Sequence, residues 1–497
     1  MHEQLNSLLK LILPRDLVIY PDSVQEKEGY TACLVRSGGK RHFVCLAREP
    51  QPALFGDFEG DLYKVGGTLV KVCKLSHVNA QKLRSWFPFT APVSFGREGM
   101  TIGLGDRLGL AGIGHLRLIK KDNQVRPVLA QQSVRELTLT QRTFAEVLDT
   151  ASWAVFQEGY TGGFGADGDH LKTEEEVRNA LESGYSMITL DCSEYIDNQI
   201  AYLPSEEVDK LYQELPEELR CRYEGGYLNK VFRLGQNQIS FDAVDLKRIV
   251  LTYVRAIGFV EHIYNVLIVS RGQIDFEISI DETLTPTTPE AHYFVAMELT
   301  RAKVGFTSLA PRFCGEFQKG VDYRGDLAQF TVEFQVHAQI ADYFGYRLSI
   351  HSGSDKFSVF PIIGKYTQGR VHVKTAGTNW LEAVRVIAQN KPGLYRQIHS
   401  YAIAHFEEAR MYYHVSTDLS KIPEIQNLDD RELVTLLNQD EGRQLMHITY
   451  GLLLTAKDES GAYLFRPEIF NVLAENEEGY ALALEKHIGK HLQLLRR

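Results

Sequence analysis

Residues 347–361, RLSIHSGSDKFSVFP, pass from a short strand-like run into His351, Ser352, Ser354, Asp355 and Lys356 gathered around Gly353. Ionisable groups at the end of a buried strand are costly unless they face a ligand or one another. The same order, an apolar run, a polar cluster and then a helical segment, recurs in GGFGADGDHLKT, MITLDCSE, DFEISIDETLTPTTPE, FTSLAPRFCGEF, VHVKTAGTNW and YYHVSTD. A barrel of alternating strands and helices collects its chemistry at such strand C-termini.

Two of the 16 histidines, His170 and His351, follow apolar runs and stand among small or acidic residues, a setting that His42 and His487 lack. Imidazoles suit divalent transition metals, and one carboxylate completes an open site. Glu316, just beyond FTSLAPRFCG, falls at the same rim. His414 and His372 are alternatives, His372 the weaker because it sits inside its strand. The plain alternative is that these histidines only hydrogen-bond within rim loops.

In DFEISID, strand alternation puts Asp275, Glu277, Ser279 and Asp281 on one face and Phe276, Ile278 and Ile280 on the other. Inside a barrel, burial and neighbouring acids are expected to raise the Glu277 carboxyl and fit it for proton transfer. A solvent-facing acidic edge is the bland alternative. Lys172, Arg312, Lys319, Lys356 and Lys374 lie in the same clusters and are candidate partners for an anionic substrate. Each alone is equally well explained as surface charge.

GFGADG at 163–168 matches GxGxxG, and Asp191 follows at the spacing of a ribose-binding acid. A dinucleotide site is therefore a competing expectation. Asp167 and Asp169 argue against it, because they crowd the turn a pyrophosphate would occupy. No Walker A, GxSxG or HExxH motif is present, which disfavours NTPase, serine-hydrolase and zincin chemistry.

The elements that would position these residues number eight. The expected strands are MTIGLGDRLGL, GGFGADGDH, MITLDCS, DFEISID, FTSLAP, RLSIHSG, VHVKTAG and MYYHVSTD. The fold expected is an α/β, (β/α)8 TIM-type barrel over residues 96–419, with a helical insertion around 200–270. Residues 1–95 carry short β-like runs and form a small α+β region; residues 420–497 form a helical extension packed on the barrel.

At 497 residues and 44% hydrophobic, the chain has ample material for a large core. Its net charge of −10 disfavours a nucleic-acid binder, and no apolar run reaches the ~18 residues of a membrane span. Cysteines at 33, 45, 73, 192, 221 and 314 show no CxxC or paired zinc spacing. The N-terminus reads as an amphipathic helix rather than a signal peptide. A cytoplasmic protein is the default expectation.

GDRLGLAG, GFGADGDHLKT, EISIDETLTPTTPEAHYF, LAPRFCGEFQKGVDYRGD, LSIHSGSDKFSVFP and VKTAGTNWLEA together resemble the tagaturonate/fructuronate epimerase family of hexuronate catabolism. HVSTD and HITYG extend the likeness toward the C-terminus. The resemblance implies a metal-dependent epimerase acting on a small sugar acid. It implies His170, Glu316 and His351 as ligands of a divalent cation (Zn, Mn, Fe, Co or Ni), Asp169 as proton acceptor and Glu277 as proton donor. An NAD-dependent sugar-acid oxidoreductase, an aldolase that releases its fragments and a non-catalytic sugar-acid binder are the alternatives.

Overall fold

The computed structural model describes residues 2–13, 16–27, 29–47, 57–122 and 124–496. Eight parallel strands close into a barrel in chain order: β1 (Met100–Leu104), β2 (Val125–Ser133), β3 (Gly165–Leu171), β4 (Met187–Asp191), β5 (Asp275–Ile280), β6 (Ser308–Pro311), β7 (Arg347–Ile350) and β8 (Val371–Thr375). Closure runs from β8 to β1, with His372 opposite Thr101 and Lys374 opposite Gly103. The expected barrel is thus present, but two strands differ from expectation. VRPVLAQQS is β2, although Pro127 and two glutamines disguise it. MYYHVSTD is irregular backbone lying beyond the closed sheet.

Side-chain alternation explains the barrel's two layers. Ile102, Leu190, Ile278, Leu309, Leu348 and Val373 belong to the apolar core that the surrounding helices share. Inward, the barrel carries polar groups rather than the branched apolar layers usual in this fold. Arg347 and His372 both meet Thr101, at 2.8 and 2.7 Å; Ser308 donates to Glu277 at 2.6 Å. The acidic face foreseen for DFEISID does point inward: Asp275, Glu277 and Ser279 are all buried.

The helices start where the sequence caps them. Ser133 with Glu136, Thr143 with Glu146 and Thr173 with Glu176 form capping boxes, each closing two orphan backbone donors. Thr288 caps Pro289–Arg301, whose proline occupies the first turn. After β2 come two helices, Val134–Thr140 and Phe144–Gln157, separated where Gln141 turns left-handed at φ 55°.

Between β4 and β5 runs a long helical excursion that includes Ala243–Ile263 and a two-stranded hairpin, Val231–Leu234 with Asn237–Ser240. Near the N-terminus, a six-stranded antiparallel sheet packs Phe43 against Trp153 and Phe156 of a barrel helix. Helices from Asp440 to Leu495 follow the barrel, the last packing on Gly112–Lys121, where Gly114 lets it approach: a Cβ there would lie 2.8 Å from the Ala481 carbonyl. All six cysteines are free. Among the described residues no helix is long and apolar enough to cross a membrane.

Candidate active site

The strand ends of the barrel open into a cavity of about 260 Å³, lined among others by Arg107, Asp169, His170, Lys319, His351 and Lys374. That size suits a small ligand; drug-sized molecules occupy roughly 300–1,000 Å³. An adjoining cavity shares His351, Ser352 and Lys319 and extends to Arg312, Glu316 and His414.

A bulge directs β3 into the site. Gly168 pairs with Ile188 and Leu171 with Leu190, so Asp169 and His170 together face the single residue Thr189. Such a bulge re-aims side chains at a barrel rim. His170 takes φ 52°, and Ser352, next to His351, takes φ 49°. Left-handed backbone is uncommon for residues with a Cβ and concentrates at functional sites.

This geometry also removes the dinucleotide reading. The fingerprint requires glycines that follow a strand and open a helix. Here GFGADG runs into β3 itself, and Gly168 is a packing glycine: a Cβ there would stand 2.9 Å from Ala180 Cβ. Asp191 instead lines the cavity, 3.6 Å from His170 Nδ1 and 3.4 Å from Lys172 Nζ.

At the cavity floor Lys374 Nζ lies 2.6 Å from Asp169, and 2.9 Å from each of Asp167 and Glu277. Burial alone would lower Lys374, but the three carboxylates hold it well above the usual ammonium range. Burial would likewise raise Asp169 and Glu277. For Asp169, Lys374, His170 and His351 reverse this, and for Glu277, Lys374 and His351 do so, leaving both well below ordinary carboxylates. The expected rise at Glu277 therefore does not occur. It falls instead on Asp167, pushed up to about 6 by burial with Asp169 and Glu277 adding and Lys374 opposing. Asp169 lines the cavity, whereas Glu277 is fully buried beneath it, 2.8 Å from His351 Nε2.

His170 and His351 do converge, with ring centroids 4.7 Å apart. The carboxylate that joins them is Asp281: one ligand atom from each of His170, Asp281 and His351 lies within 4.8 Å of the others. His170, Asp191 and Glu282 form a second grouping of the same kind. Glu316 is in neither. It is exposed, paired with Arg324 through the backbone, and its carboxylate accepts from Gln318 Nε2 at 2.5 Å. His414 lines only the adjoining cavity, and His372 is locked inside the barrel, pulled down to about 3 by burial. The donor set of two imidazoles and a carboxylate fits a divalent transition metal. His170 Nδ1 and Asp191 Oδ2 are buried beside it without hydrogen-bond partners, which is consistent with room for a cation.

The cations sort into two groups. Lys172, Lys319 and Lys374 line the cavity, and Arg312 lines its neighbour. Lys356 does not line either. Its ammonium is spent on the carbonyls of Gln318, Val321 and Ser354 at 2.6–3.0 Å, so it ties two loops together. Lys319 donates to Ser352 Oγ at 3.0 Å and, among the described residues, has no ion-pair partner.

Arg107, Arg135, Gln131 and His447 also line the cavity and were not singled out in the sequence. Gln131 donates to Asp169 Oδ2 at 3.1 Å. Arg107 pairs with Glu136 at 2.7 Å and stacks on Tyr450, its carbon 3.7 Å from the ring centroid. Gly377 is required by His447: a Cβ would fall 1.6 Å from its Nε2.

The profile of the tagaturonate epimerase family, UxaE, matches residues 20–495. The chain belongs to the tagaturonate epimerase family. A curated member from Thermotoga maritima, a tagaturonate/fructuronate epimerase, is 42% identical over 482 residues, covering 97% of each chain. The crystal structure of fructuronate-tagaturonate epimerase UxaE from Cohnella laeviribosi with one glycerol superposes with a TM-score of 0.94, at 53% identity over 99% of both chains. Its native form also gives 0.94, at 52% identity. As a tagaturonate epimerase family member, the chain is a carbohydrate epimerase, an isomerase of hexuronate metabolism.

Proposed function

We propose that this chain interconverts D-tagaturonate and D-fructuronate by retro-aldol and aldol chemistry, with a divalent metal held by His170, Asp281 and His351. The two sugar acids differ at a carbinol carbon β to the ketone. Its hydrogen is not acidified by that ketone, so enolisation cannot invert it. Cleavage can: the carbinol hydroxyl loses its proton, the bond to the carbon α to the ketone breaks, and an aldehyde and an enediolate result. The aldehyde turns its other face and the bond re-forms.

The observation that supports this reading is that Asp169, Lys374, His170 and His351 line one cavity, with Asp281, which lines the adjoining cavity, beside the two histidines. Asp169, held ionised, takes the hydroxyl proton. Lys374 orients Asp169 and links it to Glu277, which exchanges the proton through that ammonium. The chemistry that a bound divalent ion supplies is Lewis acidity toward the ketone and its neighbouring hydroxyl. Lys319, lacking a carboxylate of its own, receives the substrate carboxylate, with Arg107 and Arg135 adding positive field.

The test is incubation of purified protein with fructuronate and each of several divalent metals, followed by product identification. Tagaturonate is the expected product. Free three-carbon fragments would replace this reading by an aldolase, binding without turnover by a sugar-acid binder, and activity that depends on bound nicotinamide by transient oxidation.

A further inference from the structure

The helix Gly377–Asn390 follows β8, and its N-terminus is uncapped: Ala376 offers no side-chain acceptor, and no acid stands in the first turn. The first N–H groups of a helix lack intrahelical partners and carry the positive end of its dipole. Ala376 and Gly377 line the active-site cavity, so this end faces whatever the cavity holds. Around the closed barrel β8 stands opposite β4. The helix end therefore lies across the mouth from Asp191, at the end of β4, and from Asp169 on neighbouring β3.

His447, on the helix Asp440–Ile448, lines the cavity at the same end. It is 1% exposed, and its Nδ1 has no hydrogen-bond partner. Its Nε2 stands against Gly377, the first residue of the uncapped helix. A buried imidazole in this state calls for a partner that the chain does not supply. Burial holds it well below the ordinary histidine range, and Arg107, Lys319 and Arg443 lower it further against Asp355. The neutral ring keeps one N–H to donate. Cations flank it. Arg107 Nη1 reaches the His447 carbonyl at 3.5 Å, and the Lys319 carbonyl accepts from Gln444 Nε2, on the His447 helix, at 3.1 Å. Glu136, the acid at this wall, is already held by Arg107 at 2.7 Å.

We infer that the N-terminus of helix Gly377–Asn390, with His447 and Lys319 beside it, receives the substrate's carboxylate, and that His447 selects a sugar acid over its uncharged counterpart. This rests on the sugar-acid reading above and assigns the end of the cavity at which the acid group lies. A carboxylate accepts about four hydrogen bonds, so backbone N–H groups, an ammonium and a neutral imidazole can share it. Helix N-termini take anions for the same reason of aligned N–H groups and dipole. With the carboxylate here, the rest of the sugar extends across the mouth toward Asp169 and His170.

The test is equilibrium titration of the full-length protein with fructuronate and with its methyl ester, which lacks the charge but keeps the ketone and hydroxyls. The parent should bind the acid at least ~10-fold more tightly, the scale of a charge-assisted hydrogen bond. His447→Leu should weaken the acid by about that factor and leave the ester unchanged, whereas His447→Gln, which keeps an N–H, should retain most of the difference. Ala376→Asp sets a carboxylate at the helix end and should likewise weaken the acid alone. Equal affinity for acid and ester in the parent, or the parental acid-to-ester ratio in His447→Leu, would overturn the inference. If His447→Leu weakens both ligands equally, Ala376→Asp decides, and an unchanged ratio there overturns the subsite. Where the ester binds too weakly to measure, the advantage of His447→Gln over His447→Leu for the acid is the readout, and its absence counts against His447. Failure of the parent to bind fructuronate would instead sink the sugar-acid reading itself.

Discussion

Lys374 Nζ lies 2.6 Å from Asp169 Oδ1, on strands β8 and β3 that meet only because the barrel closes through β1 and β2. The same ammonium reaches Asp167 and Glu277, so it joins the one cavity-lining carboxylate of the set to two buried ones. Lys374→Met should lower kcat by at least ~10²-fold, the scale of a lost proton-transfer group. It should also destabilise the fold, since stranding buried carboxylates costs about 3–5 kcal/mol. Near-parental turnover in a folded variant would take Lys374 out of the proton path.

Glu277→Gln separates chemistry from binding. The amide keeps the shape that Ser308 and Thr189 hydrogen-bond at 2.6 and 3.2 Å, so folding and metal content should survive. Turnover should fall by ~10²–10⁴-fold with little change in KM. A change confined to KM would place Glu277 in ground-state binding instead.

Much of this site was legible because strand alternation has a strict period of two. Once DFEISID is a barrel strand, Glu277 must face inward, and the burial of Asp275 and Ser279 agrees. His170 and His351 were found by position, each at a strand end. What failed depended on three-dimensional register. β2 was hidden because its C-terminal glutamines look like loop residues, yet Gln131 is polar because it serves Asp169. MYYHVSTD looked like a strand but meets the site as irregular backbone, with Tyr413 lining the cavity. Lys356 shared a cluster with His351 and turned away, a matter of backbone carbonyls that no pattern displays. Asp281 lay on the right strand face, but only side-chain distances separate it from Glu316 as a partner for the two histidines.

That distinction is measurable. Asp281→Asn should weaken divalent-metal binding at the active site by at least about tenfold, as should His351→Ala, while Glu316→Gln should leave it near the parental value. Titration of chelator-treated protein reads the effect directly. The reverse ranking of Asp281 and Glu316 would restore the ligand set that the family resemblance implies. Chelation should abolish epimerase activity and added metal restore it.

Asp167 gives the chain a pH signature. Its folded pKa of about 6 exceeds the ordinary 3.8, so the folded state holds more protons between those values. A raised carboxyl contributes stability fully below ~3.8, and that contribution is lost as pH rises through about 6. Asp167→Asn removes this dependence. The Tm of the variant, relative to the parent, should therefore be higher at about pH 8 than at about pH 5. The slope is the readout, because loss of the contact with Lys374 shifts both values together. An unchanged difference would mean that Asp167 is ionised throughout.

Lys319 offers the sharpest test of how the substrate is held. It lines both cavities, its ammonium donates among the described residues to Ser352 Oγ alone, and Arg107, its neighbour, is already committed to Glu136. A cation without a carboxylate beside a site for a sugar acid is matched by the substrate's own carboxylate. A charge-assisted hydrogen bond of this kind contributes about 1.5–3 kcal/mol, or roughly 10–150-fold in binding. Lys319→Met should raise KM by that factor with a smaller effect on kcat, since the contact lies away from the reacting carbon. An equal fall in kcat with KM unchanged would move Lys319 from carboxylate recognition into the transition state, and Arg135 would be the next candidate for the carboxylate.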